Sequence, residues 1–275
     1  MIAALGLSPR VGLAFARNSF LRLLSYRVRY VVGVANYFLY VSVHYYLMRA
    51  VLEANPRAVE PLLSPADLVT YFSVGWAARA AYHNEIDGRL AEQVASGELA
   101  MELIRPAAYP WIKYSEAAGE SLFRVFFMSL PIFAVLAAVY HPLLRPPAGA
   151  GHLGLSLVSL VLAFHIYFAV NLLTGLIAVA TLKIQGFLWA KFLLVQLLSG
   201  VMLPFAIFPA WAQPWLARSP FAALGHTPVL LYQGKLTGMA AFEALALEAG
   251  WTALLLALCA WAWSRARRHI IIQGG

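Results

Sequence analysis

Between positions 82 and 98 the chain gathers one histidine and four of its twelve acidic residues. Tyr82, His83, Asn84, Glu85 and Asp87 are followed by Arg89, Glu92, Gln93 and Glu98. An imidazole beside carboxylates can serve general acid–base catalysis, and at a membrane surface such a set would suit an enzyme that modifies lipids. The same residues are also ordinary for the polar end of a membrane helix, and their spacing does not separate the two readings. The seven histidines (His44, His83, His141, His152, His165, His226 and His269) include no pair four residues apart and no HExxH. A metal site is therefore not expected. Gly234-Lys235 is no phosphate loop, because Val229 stands where its first glycine belongs and Leu236 follows the lysine. No catalytic residue, metal or cofactor is expected on this chain, and any ATP would be bound by another subunit.

Arg89 to Pro106 is the longest strongly polar run between two apolar ones. Ile86, Leu90 and Val94 recur every four residues beside Arg89, Glu92 and Gln93, which predicts an amphipathic helix. Gly97 is its expected stop. A second short turn carries Glu98, Leu99, Glu102 and Arg105 to Pro106, an expected breaker. A short amphipathic helix between membrane spans needs something outside the membrane to dock on.

The elements that must position this segment follow from composition. The 275 residues are 62% hydrophobic and 12% charged, with a mean hydropathy of +0.73. A soluble domain is nearer one quarter charged. The length allows about six spans of ~20 residues. They are expected at 30–50, 66–84, 121–140, 153–182, 187–208 and 242–263. A basic interfacial helix is expected over 8–29, where Arg17, Arg22, Arg27 and Arg29 alternate with Phe15, Phe20, Leu23 and Leu24. No cleavable leader is expected, since Arg10 and Arg17 follow rather than precede the apolar part of 1–16. Residues 209–240 are apolar but broken by Pro214, Pro220 and Pro228, as in re-entrant pieces. Pro131 should kink the third span, and Tyr109–Glu120 before it reads as interfacial. Within spans, Arg79 and Arg124 are expected to snorkel, with pairing to Glu85 or Glu120 as the alternative. His165 and Asn171 read as interhelical hydrogen-bonding groups, with a place on a pathway as the alternative. Cys259 is the only cysteine, so no intrachain disulfide can form.

The net charge of +8 reads as membrane orientation, not as a nucleic-acid footprint. Fifteen of the twenty Lys and Arg residues flank one side of the six expected spans and five the other. That bias places both termini and the 85–106 segment in the cytoplasm.

Four features in order resemble the short six-span permeases of the type-2 ABC exporter class. They are Tyr26-Arg27 ending the basic helix; Val94-x-x-Gly97-Glu98-Leu99 followed by Leu103-Ile104-Arg105-Pro106; a fifth span leading into broken outer helices; and Ser219-Pro220-Phe221 followed by Pro228 and Tyr232-x-Gly234-Lys235. The resemblance implies an all-α polytopic permease in the plasma (inner) membrane. It would be part of an exporter for a hydrophobic or amphipathic substrate. It also implies two ATPase subunits that bind ATP and Mg, and a second copy or a related permease as a further partner. Arg89, Leu90, Glu92, Gln93, Val94, Gly97, Glu98 and Arg105 would form the coupling helix, and Tyr71, Trp76, Gln196, Met202 and Leu203 would line the path. The remaining alternatives are the lipid-modifying enzyme and a non-transporting channel or assembly subunit.

Overall fold

A computed structural model describes residues 8–54, 64–105, 107–181 and 184–268. The expected loop with Asn55-Pro56 and Glu60-Pro61, the breaker Pro106 and Lys183 lie outside the described residues. Among the described residues, all regular structure is helical. Four helices are long and apolar enough to cross a membrane: Tyr30–Val51, Tyr109–Val139, Ala150–Ala180 and Gly238–Ala266.

The basic N-terminal segment is helix α1 (Pro9–Ser25), which starts on a proline whose missing N–H costs nothing at that position. A one-residue turn at Tyr26 leads into α2 (Arg27–Ala54). Helix α3 (Pro65–Tyr82) begins with a capping box. The Asp67 N–H donates to Ser64 Oγ at 3.1 Å, and the Ser64 N–H donates back to the Asp67 carboxylate at 3.3 Å. Fourteen of its eighteen residues are buried, which makes α3 the axis on which the other helices pack. Its core includes Val41, Tyr45, Phe72, Trp76, Ile132 and Val229. Asp67, Thr70 and Arg79 make α3 less apolar than the four long helices named above.

Two short helices follow, α4 (Ile86–Ser96) and α5 (Glu98–Leu103). Next comes a single helical run made of α6 (Tyr109–Arg124), a π-helical turn (Val125–Ser129) and α7 (Leu130–Val139). The sequence suggests an interfacial piece and a separate span beginning at Ser121. The helix instead passes straight through Glu120-Ser121, because nothing there breaks it. The distortion expected from Pro131 falls just upstream, in the π turn. Proline offers no N–H to the preceding turn and crowds the carbonyl four residues back, so the ladder slips by one residue there.

α8 (Ala150–Ala180) runs about 46 Å at 1.5 Å per residue, well over the ~30 Å hydrocarbon core. It packs along α12 (Gly238–Ala266) and carries α4 at its far end. α9 (Gln185–Leu198) has only fourteen residues, with Val195 and Gln196 buried and most of the rest exposed. The expected fifth span to position 208 is thus cut short, because the chain turns at Gly200 with φ +80°. The broken outer region resolves into α10 (Gln213–Arg218), two 3₁₀ turns and α11 (His226–Tyr232). Asp67 accepts Arg145 at 3.2 Å and Lys235 at 3.5 Å, clamping the start of α3 to two loops.

α1 lies along α6 at very close range. A Cβ added at Gly119 would stand 2.0 Å from the Ala16 carbonyl oxygen, and one at Gly12 would stand 2.9 Å from Trp111. Gly119→Val should therefore cost at least about 2 kcal/mol through overpacking against backbone that cannot yield. Gly250→Ala, on an open face of α12, should be neutral or stabilise by up to about 1 kcal/mol. Thermal unfolding of both variants in one detergent checks this, with Gly119→Val lowering the midpoint and Gly250→Ala not.

Candidate functional site

Helix α4 is two-faced. Ile86 and Leu90 are fully buried and pack in one cluster with Phe168, Leu172 and Leu176 of α8. Gly175 makes that approach possible, since a Cβ there would sit 3.0 Å from the Asp87 Cα and 3.0 Å from the Leu90 side chain. Gly97 ends the helix in the left-handed region at φ +77°, where any side chain is strained. The chain then re-enters α5, and Leu99 is buried beside Leu90. The opposite edge faces outward through Glu92, Ala95, Ser96 and Glu98. Beyond them stand two exposed apolar side chains, Met101 at 66% and Ile104 at 75%.

The expected coupling residues divide between these faces. Glu92, Gly97, Glu98 and Arg105 are exposed, and Arg105 pairs with Glu102 at 3.0 Å. Gln93 and Val94 are half-buried, and the Gln93 amide oxygen accepts the Tyr109 hydroxyl at 2.7 Å. Leu90 and Arg89 face the protein. Arg89 donates to the buried Glu120 at 3.0 Å, and Glu120 also accepts Arg124 at 3.1 Å. The expectation that Arg124 snorkels is corrected by this pair: a carboxylate one turn back satisfies it in place. Arg79 does not snorkel either. It is buried, with its guanidinium over the Trp76 and Phe192 rings at 5.7 and 5.8 Å.

The first turn of α4 holds the centre of the site. Asp87 forms an ion pair with Lys191 of α9. Lys191 also donates to the Asn171 side-chain oxygen on α8 at 2.7 Å and lies 5.6 Å from the Tyr167 ring. The Asn171 amide in turn donates to the Asn84 carbonyl and side-chain oxygens at 2.8 and 2.9 Å. All four polar partners are largely withdrawn from solvent, Lys191 being 14% and Asp87 6% exposed at the side chain. One network therefore joins the α3–α4 junction, α4, α8 and α9. Asn171 thus takes the interhelical role, as does His165, whose ring meets the Tyr114 hydroxyl at 3.0 Å. Within the 82–87 cluster, Asn84 and Asp87 hold helices together, the His83 ring hydrogen-bonds the Tyr167 hydroxyl at 3.0 Å, and its other nitrogen lies 3.9 Å from the exposed Glu85 carboxylate.

Reading the sequence missed the Asp87–Lys191 pair. The signals available were a lone lysine and a lone asparagine inside apolar runs, since ionisable groups at membrane depth are rare and usually partnered. Of the expected path residues, Tyr71, Trp76 and Gln196 are buried, Leu203 is half-buried and Met202 is 37% exposed. The Tyr71 hydroxyl donates to the Gly200 carbonyl at 3.0 Å, locking α3 to the turn after α9. Trp76 stacks on Tyr40 at 4.8 Å.

Breaking a buried pair from one side leaves the other charge without compensation. Asp87→Asn or Lys191→Met alone should cost about 3–5 kcal/mol, and the double variant much less than the sum of the two. Thermal unfolding of the four proteins in one detergent reads the coupling. Additive losses would show that the pair does not hold α4 to α9.

The family described as "ABC-2 family transporter protein" matches residues 68–274, about three quarters of the chain, from α3 to beyond α12. No curated protein and no solved structure matches the chain. The matched region contains the whole two-faced α4–α5 segment and every residue of the Asn84–Asp87–Asn171–Lys191 network. A polytopic helical chain matched over that extent belongs to the ABC-2 transporter family, whose members are membrane permeases of ABC transporters.

Proposed function

We propose that this chain is the membrane subunit of an ATP-driven exporter that moves a hydrophobic or amphipathic substrate out of the cytoplasm. ATP and Mg would be bound by two separate ATPase subunits docked beneath α4 and α5. The permease would pair with a second copy or a related permease, and α3 and α9 would complete six spans. Both termini would face the cytoplasm of a plasma (inner) membrane. The observation that carries this reading is the two-faced α4–α5 segment. Its outer edge offers Met101 and Ile104 to a partner, while its inner face is bonded to α6, α8 and α9.

The proposed mechanism is a mechanical switch. A force applied at α5 moves α4 as a unit, because Leu90 and Leu99 share one buried cluster across the Gly97 turn. Arg89 passes the displacement to α6 through Glu120. Asp87 passes it to α9 through Lys191, and Asn84 to α8 through Asn171. The Tyr71–Gly200 bond makes α3 follow the outer end of α9. ATP can drive such a change only by favouring one packing over the other, so the links from α4 into the spans must be stiff.

The double substitution Met101→Glu with Ile104→Glu tests the docking edge. Both side chains point away from the protein, so thermal stability should stay within about 1 kcal/mol of the parent. Co-purification of the ATPase should fall more than about tenfold, the equivalent of roughly 1.4 kcal/mol. Reversal of Glu92 to Arg should also uncouple ATP hydrolysis from transport. Full ATPase retention in the double variant would remove this edge as the docking surface.

A further inference from the structure

A cleft of about 480 Å³, open on one side, lies beside the coupling segment, lined by α1, α4, α5 and α6. Its polar wall carries four cations, Arg22, Arg89, Arg105 and Lys113, against two anions, Glu102 and Glu116. Arg105 is paired with Glu102, Lys113 with Glu116, and Arg89 with Glu120 outside the cleft. Among the described residues no ion pair reaches Arg22, which is exposed, so its charge on the wall is free to meet a ligand anion. Three buried polar atoms around the same space have no hydrogen-bond partner: Ser19 Oγ, Arg89 Nε and Glu102 Oε2. Ser19 is only 3% exposed. Two of these, the serine hydroxyl and the guanidinium N–H, are donors left without an acceptor, and such groups are costly when buried. Phe15 and Leu21 complete the lining as an apolar lip.

We infer that this cleft binds the headgroup of an anionic phospholipid. A phosphodiester supplies the missing acceptor for Ser19 Oγ and Arg89 Nε and a counter-charge for Arg22, in charge-assisted hydrogen bonds. A headgroup hydroxyl supplies the donor that Glu102 Oε2 lacks. The neighbouring surface favours a lipid over a soluble ligand. On α1, Leu13 and Leu21 are exposed at 72% and 43%, and Tyr26 at its end is exposed at 67%. That apolar and aromatic edge suits the headgroup boundary of a membrane. A lipid seated there would touch α1, α4, α5 and α6 together, and so would brace the coupling segment from the membrane side.

The test uses the full chain, purified in a detergent that strips bound lipid, with added phosphatidylglycerol, phosphatidylcholine or inorganic phosphate. Phosphatidylglycerol should raise the unfolding midpoint by about 3 °C or more, and the other two should not. Arg22→Gln and Ser19→Ala should each at least halve that shift, while Arg218→Gln, on outer helix α10, should leave it intact. Equal stabilisation by phosphatidylcholine would overturn the inference, as would an equal shift with inorganic phosphate, which would make the cleft a soluble-anion site. A third contrary result is no shift with phosphatidylglycerol but loss of a co-purifying protein in Arg22→Gln, which would assign the cleft to an acidic group of a partner. The readout needs neither ATP nor an ATPase, so its failure is separate from failure of the transport reading.

Discussion

An ammonium group largely withdrawn from solvent between packed helices must have a counter-charge, and Lys191 has it in Asp87 of α4. The rest of the inner end of the molecule follows from this pair. For Asp87 to reach Lys191, α4 must lie hard against α8, and Gly175 is the residue small enough to allow it. For the remaining Lys191 protons to be satisfied, Asn171 must present its oxygen, which turns its amide toward Asn84 and fixes the start of α4. Leu90 then falls into the α8 cluster, and the outer edge of the segment is left facing away from the protein.

The two ends of the molecule are built on different terms. At the end where α3 begins a single carboxylate, Asp67, caps the helix and gathers Arg145 and Lys235 from two loops, one of them well exposed. Such pairs are individually weak. At the inner end the links are buried and converge on α4. α3 joins the two, packed along most of its length and tied through Tyr71 to Gly200 and through Tyr82 to the Leu224 carbonyl. α9 is held differently. It buries little of its own surface, and its ties to the chain lie along its second half: the Lys191 network at mid-helix, the buried Val195 and the Gly200 turn after its end.

Much of this was legible in the sequence, and the limits have physical causes. The four-residue recurrence of Ile86, Leu90 and Val94 located α4 and its buried stripe, and Gly97 located its end, because helical period and left-handed backbone leave local signatures. A basic helix before the first span was also legible, but it ends at Ser25 where the sequence suggested 29, and Arg27 opens the next helix. What could not be read were the partners of buried charges. Lys191 and Asp87 are 104 positions apart and Arg89 and Glu120 are 31 apart, and no local pattern joins such residues. Lys191, counted among the cations flanking the spans, is also a link between helices. The continuous α6–α7 run and the shortness of α9 were missed for a related reason: apolar composition marks a membrane stretch but not where its helix starts and turns.

The most direct measurement places a photo-cross-linking residue at Met101 of the full-length chain in its native cells, with Leu90 as the buried control. Irradiation should join position 101 to a soluble-domain protein that hydrolyses ATP, and position 90 to no other protein. Protein adducts from Met101 that never include an ATPase, or an ATPase caught equally from Leu90, would contradict the claim that the outward edge of α4 and α5 is where ATP-driven force enters this permease.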